Sequence, residues 1–397
     1  AHAAGIYMNT PNRPVRPQPE TQRPGTLCIH AGTYLDSRTG GACSPIFPST
    51  ACAFPNAANE NFYPRYFNTP NQRVVAEKIA ALEHGEKALV FGSGMAAIST
   101  LFFSLLKPGD HAVFQTDLYG GTLLLLQELT RWGVSVSYAR TAGEFGASVN
   151  PQTRLLYCET PSNPLLQVVD LAAIGALGRS RGILSVVDNT FATPINQTPL
   201  RLGIDVVVHS ATKYLNGHSD FNAGFLVASA GLIERAAECA VNHGGMLDAQ
   251  ACNLLERGMK TLALRVRQHN QNAARLALFL RQHPAVAAVN YPGLPEHPGH
   301  DVAARQMNGF GGMLSFELRD PRRVDATLAA FRLIMPALSL GGVESLVCIP
   351  SRTSHRKLSP EERQRAGIRD GLMRLSVGIE EVEDLEADLA QALAAGA

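Results

Sequence analysis

Short apolar runs alternate with stretches of helical period along the first two thirds of the chain. Ala88–Phe91, His111–Gln115, Leu155–Cys158, Leu184–Val187 and Val206–Val208 predict buried strands, each bounded by polar or turn-forming residues. From about Gln72 to Ala81 the period changes, and Val74, Val75, Ile79 and Leu82 form the apolar stripe of a helix. Strands alternating with helices predict an α/β architecture: a mostly parallel sheet with helices on both faces. A long helical stretch over Leu254–Leu280 leads into a second unit. That unit opens with VAAVNYPGL, contains GGMLSFEL and ends in a helix over Val382–Ala395. Prolines at 11, 14, 17, 19 and 24 predict an extended arm over residues 1–25. The chain thus divides into an N-terminal arm (1–60), a larger α/β domain (61–255) and a smaller C-terminal α+β domain (256–397).

The residues just past each strand are more informative than the strands. Phe91 runs into Gly92-Ser93-Gly94, Gln115 into Thr116-Asp117-Leu118-Tyr119, and Cys158 into Glu159. Val187 runs into Asp188-Asn189-Thr190, and Val208 into His209-Ser210-Ala211-Thr212-Lys213. In a doubly wound sheet ligands bind at the carboxyl ends of the strands. Glycine and polar residues at nearly every such end predict convergence on one small molecule.

Composition narrows the class. With 45% apolar and 17% charged residues the chain has the profile of an ordinary enzyme. Its formal net charge is +1 and no run of Lys or Arg marks a nucleic-acid face. No apolar run approaches the ~18 residues that a membrane span requires. The polar, Pro-rich start lacks a secretion pattern, and seven scattered cysteines without a CxxC pair predict neither a disulfide framework nor a metal site. A reducing cytoplasm is the expected setting.

Pyridoxal 5'-phosphate (PLP) chemistry needs a lysine, an acid facing the pyridine nitrogen, phosphate donors and usually an aromatic over the ring. Lys213 in HSATKYLNGHSD comes after a buried strand between hydroxyl residues, although most lysines simply lie in solvent. Asp188 closes LSVVD, where it would either cap a turn or keep a pyridinium protonated. Ser93-Gly94-Met95 joins a strand to the apolar helix AAISTLFFSLL. This is a tight turn on one reading and a phosphate-binding helix start on the other. Tyr119 in DLYGGT fills the core or stacks on a ring.

Taken together, these segments resemble the Cys/Met-metabolism PLP enzymes. This trans-sulfuration family comprises cystathionine synthases and lyases, methionine γ-lyases and homoserine-ester sulfhydrylases. HSATKYLNGHSD, VDNTFATP, ETPSNP, SGMAAI, SLGGVESL and RLSVGIE carry the likeness, which runs from Thr26 to the end. The resemblance implies an aspartate-aminotransferase-like fold (fold type I), with residues 61–255 as the PLP-binding domain. It implies Lys213 as the cofactor lysine and proton carrier, Asp188 at the pyridinium, and Tyr119 over the ring as acid or base. It further implies Gly94, Met95, Ser210 and Thr212 at the phosphate, joined from a neighbouring subunit by Tyr63 and Arg65 of YPRYFNTP. The substrate carboxylate would meet Asn163, Ser339 and Arg374, and the assembly would be a homotetramer. On the residues alone, Arg374 could instead be a strand residue with its head in solvent, and Tyr63 and Arg65 simple loop residues.

Several positions depart from the family's patterns. Asn68-Thr69-Pro70 replaces Asn-Pro-Thr, and Pro350-Ser351-Arg352-Thr353-Ser354-His355 sets Arg352 near the expected substrate mouth. Gly121 stands where methionine γ-lyases carry cysteine. Leu338 stands where many cystathionine γ-enzymes carry glutamate. The tyrosine frequent there in β-lyases is absent too. The expected activity is elimination from a γ-substituted L-amino acid, with γ-replacement as the second reading and a non-catalytic binding protein as the third.

Overall fold

The computed structural model describes residues 22–56, 59–353, 356, 363 and 367–395. Its main sheet has seven strands: β1 (Lys87–Phe91), β2 (His111–Gln115), β3 (Ser135–Ala139), β4 (Thr153–Glu159), β5 (Leu184–Asp188), β6 (Val206–Ser210) and β7 (Gly224–Ala228). Their order is β1-β7-β6-β5-β4-β2-β3. Only β7 runs against its neighbours β6 and β1; the other pairings are parallel. Consequently β1, β2, β4, β5 and β6 present their carboxyl ends on one edge. Both faces are covered, so β2, β6 and β7 are apolar almost throughout rather than alternating. Along β6, Val206 and Val208 join one core with Phe102, Phe114 and Tyr157, while Val207 joins another with Val75, Ile79 and Phe225.

The second sheet contains β8 (Val286–Asn290), β9 (Met313–Leu318), β10 (Met335–Pro336), β11 (Leu346–Cys348) and β12 (Leu372–Ser376). They lie in the order β10-β11-β12-β9-β8 and are antiparallel except at β10–β11. The stretch expected as one helix over Leu254–Leu280 is two, Ala249–Lys260 and Leu262–Gln282, joined at Thr261 where φ −103° and ψ 2° leave the helical region.

One expectation about the arm fails where it can be seen. Pro24 does not block a helix but opens one, Pro24–His30, because the first helical position needs no N–H. The prolines at 11, 14, 17 and 19 lie outside the described residues. No helix among the described residues is long and apolar enough to cross a membrane.

Candidate active site

Past β6 the chain coils into a tight turn. Lys213 N–H donates to Ser210 O (3.2 Å), Asn216 N–H to Ala211 O (3.0 Å) and Gly217 N–H to Lys213 O (2.8 Å). From this turn Lys213 Nζ donates to Ser339 Oγ at 2.8 Å. Ser339 lies between β10 and β11 with φ +86°, a left-handed backbone that costs a non-glycine residue on the order of 1 kcal/mol or more. Its carbonyl accepts from Arg374 Nη2 at 2.9 Å, and Arg374 Nη1 donates to Asn163 Oδ1 at 2.9 Å. Lys213, Ser339, Arg374 and Asn163 thus form one string of contacts that ties the two sheets together. Burial, and then the charge of Arg374, lower the pKa of the Lys213 amine from 10.5 to about 8. Arg374 is 5% exposed, and its Nε is buried without a hydrogen-bond partner.

Two carboxyls, Glu159 buried and Asp188 half-buried, stand at neighbouring strand ends. Asp188 Oδ1 accepts from Thr190 N–H at 2.9 Å, while the Thr190 hydroxyl accepts from Ser210 N–H at 2.8 Å, lacing the ends of β5 and β6. Burial raises the Asp188 pKa, opposed by the Thr190 hydrogen bonds and the charge of His209. Glu159, at the end of β4, accepts the Tyr119 N–H on both carboxylate oxygens at 2.9 Å. Burial, and then the neighbouring Asp188 charge, push Glu159 well above the usual carboxylate range. Tyr119 is held by its backbone while its ring stands half-exposed; a Cβ on Gly121 would come within 2.5 Å of that ring and 3.0 Å of Met95 Sδ.

The helix Gly94–Leu105 starts against the same edge. Ser93 Oγ accepts from Ala96 N–H at 3.0 Å, leaving the N–H groups of Gly94 and Met95 without intrahelical acceptors. A Cβ on Gly94 would lie 2.8 Å from Ser210 Cβ, and one on Gly224 only 2.2 Å from Ser93 O. Glycine at both positions is what lets the helix start reach the end of β6. Beside it the Thr212 hydroxyl donates to Ala223 O at 3.2 Å and accepts from Ala223 N–H at 3.0 Å.

Other candidates lie apart from this cluster. Arg65 donates to Val241 O at 2.9 Å and, with Tyr63, Phe62 and Tyr66, lines a separate open cavity. Arg352 does not join the Lys213 string: its exposed guanidinium is ion-paired to Asp325, an acid on the helix Val324–Ala330 that draws it along the surface. Ser354 and His355 of the same segment lie outside the described residues. Leu338 is 65% exposed and lines a cavity of about 360 Å³ with Ser339, Met335, Thr212, Asp220 and Glu344. Glu344 is engaged by the Ser219 hydroxyl, and Asp220 by Asn216 Nδ2 at 2.8 Å. Sequence reasoning did not single out Glu159 or Thr190, although their place just past strand ends was the available signal.

The model of the Cys/Met metabolism PLP-dependent enzymes matches residues 25–394, and the chain belongs to that family. It is 44% identical to a cystathionine gamma-lyase of Bacillus subtilis over 93% of this chain and 98% of that protein. It is equally, 44%, identical to a cystathionine gamma-synthase of Mycobacterium tuberculosis, over 93% of this chain and 96% of that one. Among solved structures, cystathionine gamma-lyase from Lactobacillus plantarum complexed with L-serine superposes with a TM-score of 0.90 at 40% identity. That match covers 94% of this chain and 99% of the other.

PLP is the cofactor of this family, and the residues present fit it. Asp188 is a partly exposed carboxyl at the end of β5 with no ion pair among the described residues, which suits a protonated ring nitrogen. The glycine contacts at Gly94 and Gly224 bring free N–H groups beside Ser210, which suits a phosphate. Lys213 has an amine whose pKa is already lowered toward its neutral, nucleophilic form.

Proposed function

We propose that this member of the family eliminates the γ-substituent of an L-amino acid, in the manner of a cystathionine or methionine γ-lyase. The observation that carries the reading is the string Lys213–Ser339–Arg374–Asn163 beside an open cavity. When bound, PLP supplies an electron sink for the charge left by a departing Cα proton. Lys213 would hold the cofactor, take the Cα proton and move it along the substrate. Asp188 would keep the ring nitrogen charged, Tyr119 would cover the ring and act as acid or base, and Gly94, Met95, Ser210 and Thr212 would hold the phosphate. Arg374 and Asn163, with Ser339, orient the substrate carboxylate by a two-point charged contact. The substituent leaves as its conjugate acid, and water converts the remainder to 2-oxobutanoate and ammonia.

Replacement of the γ-substituent is the second reading, favoured by the equal identity to a lyase and a synthase. One assay separates them: 2-oxobutanoate and ammonia release from γ-substituted amino acids, with and without an added thiol. Release without thiol supports elimination. Turnover only with thiol, yielding a new thioether, refutes it.

Two further features belong to this reading. Tyr63 and Arg65 line an exposed cavity apart from the Lys213 string, which fits donation to the phosphate of a neighbouring subunit in a homotetramer. Seven free cysteines fit a cytoplasmic, reducing setting.

A further inference from the structure

The turn that carries Lys213 has a second support, from a residue outside the site. Arg265, on the helix Leu262–Gln282, donates from Nη1 to Tyr214 O at 2.7 Å and from Nη2 to Leu215 O at 3.3 Å. These are the two carbonyls directly after Lys213. The same guanidinium reaches Gly258 O at 2.8 Å and, through Nε, Thr261 Oγ1 at 3.1 Å, so it also closes the joint between the two helices. Arg265 is 4% exposed, and no carboxylate pairs with it among the described residues. Burial brings its pKa down to about 10, which leaves it charged at neutral pH. Burying a cation without a counter-ion is costly, and here all three guanidinium nitrogens go to the turn and the joint.

The surrounding fit is close. A Cβ on Gly217 (φ +78°) would lie 2.0 Å from Arg265 Nη1, and one on Gly258 would lie 2.5 Å from Asn216 O. From the opposite side, a Cβ on Gly341 would lie 2.7 Å from Tyr214 N and 3.1 Å from Lys213 C. The turn is therefore gripped between the guanidinium and the loop that bears Ser339.

We propose that Arg265 is a positioning residue for the reaction: its fork on the Tyr214 and Leu215 carbonyls fixes the turn so that the Lys213 amine stays at the Ser339 hydroxyl. This rests on Lys213 being the cofactor lysine. Lysine at 265 would keep the charge but cannot span carbonyls on the turn and the helix joint together. The turn would then carry two weakened acceptors and sample other orientations of Lys213.

The test compares wild type, Arg265→Lys and Gly217→Ala; the last keeps the charge but forces the guanidinium off its seat. Borohydride reduction and then peptide mass analysis read whether the cofactor is fixed at Lys213. If wild type is not fixed there, the Lys213 reading fails, whatever the variants do. Given fixation in wild type, hydrogen exchange of the cofactor-free enzyme should rise by about tenfold or more at the Asn216 and Gly217 amides, with the main sheet unchanged. In the loaded enzyme kcat should fall about tenfold to a hundredfold while KM stays within about threefold. Arg265→Lys with wild-type exchange in the turn and kcat within about twofold overturns the proposal. So does exchange that rises evenly across the sheet, or failure of both variants to fold, since Arg265 would then hold the whole fold and not the turn.

Discussion

Arg374→Lys is the perturbation whose size the structure lets one work out. The guanidinium is nearly buried, its two amino nitrogens are placed by Asn163 Oδ1 and Ser339 O, and its Nε has no partner. No carboxylate neutralises it among the described residues, so a substrate carboxylate would be its counter-ion. Lysine keeps the charge but replaces a planar fork by a single point, and loses the Asn163 or the Ser339 contact when it turns to the substrate. One charged hydrogen bond is worth about 1.5–3 kcal/mol. At ~1.4 kcal/mol per factor of ten, its loss lowers kcat/KM by about 10- to 150-fold. Most of the loss should appear in KM, because the carboxylate is held equally before and during proton removal. The assay is initial-rate 2-oxobutanoate release from a γ-substituted amino acid. Ammonia release from the corresponding amide, which has no carboxylate and yields 2-oxobutanamide, serves as the control. A loss below about threefold would refute the role, as would an equal loss on the amide.

Three other outcomes rest on the same geometry. Lys213→Ala should abolish turnover, and in wild type the rate of PLP uptake by cofactor-free enzyme should climb with pH, pass its midpoint near pH 8 and level off above it as the amine becomes neutral; absorbance reads both, and a midpoint near 10.5 would contradict the lowered pKa. Asp188→Asn should cost about 100-fold or more in kcat, while melting at the same or a higher temperature, because a carboxyl whose charged form the fold disfavours is replaced by a neutral amide; a wild-type rate would remove Asp188 from the ring nitrogen. Leu338→Glu should shift kcat/KM toward cystathionine over an uncharged γ-substituted substrate by about ten- to a hundredfold, since the acids already lining that cavity are engaged by Ser219 and Asn216; no shift would show that position 338 does not set selectivity.

The strands that the sequence disclosed are those covered on both faces, because continuous apolar runs have few other readings. Of the two main-sheet strands that escaped, β3 (Ser135–Ala139) lies at the sheet's edge and only Ala139 in it is buried, with Ser135 and Tyr138 exposed. The other, β7, carries in GFLVA the same apolar signal as its neighbours; what that signal leaves open is direction, and β7 is the strand that runs backwards. Pro24 misled for a related reason: proline forbids a helix interior and favours a helix start, and only the next residues decide which applies.

The site divides along the same line. The placement of Lys213, Asp188 and Gly94 at one edge was legible because each stands where a strand ends, and the parallel order carries those ends together. Glu159 and Thr190 stand at such ends too, but their part is to hold Tyr119 and to bridge Asp188 to Ser210, and partnership leaves no mark in spacing. Arg265 shows the limit most sharply. It sits two residues from Arg267 on one helix; Arg267 is exposed, whereas Arg265 is buried. Nothing in LALRVRQHN tells the two arginines apart. What separates them is the turn after Lys213, which offers two carbonyls to one side of that helix and none to the other. A residue that reacts is marked by where it lies on its own strand; a residue that holds it is marked only by what lies opposite.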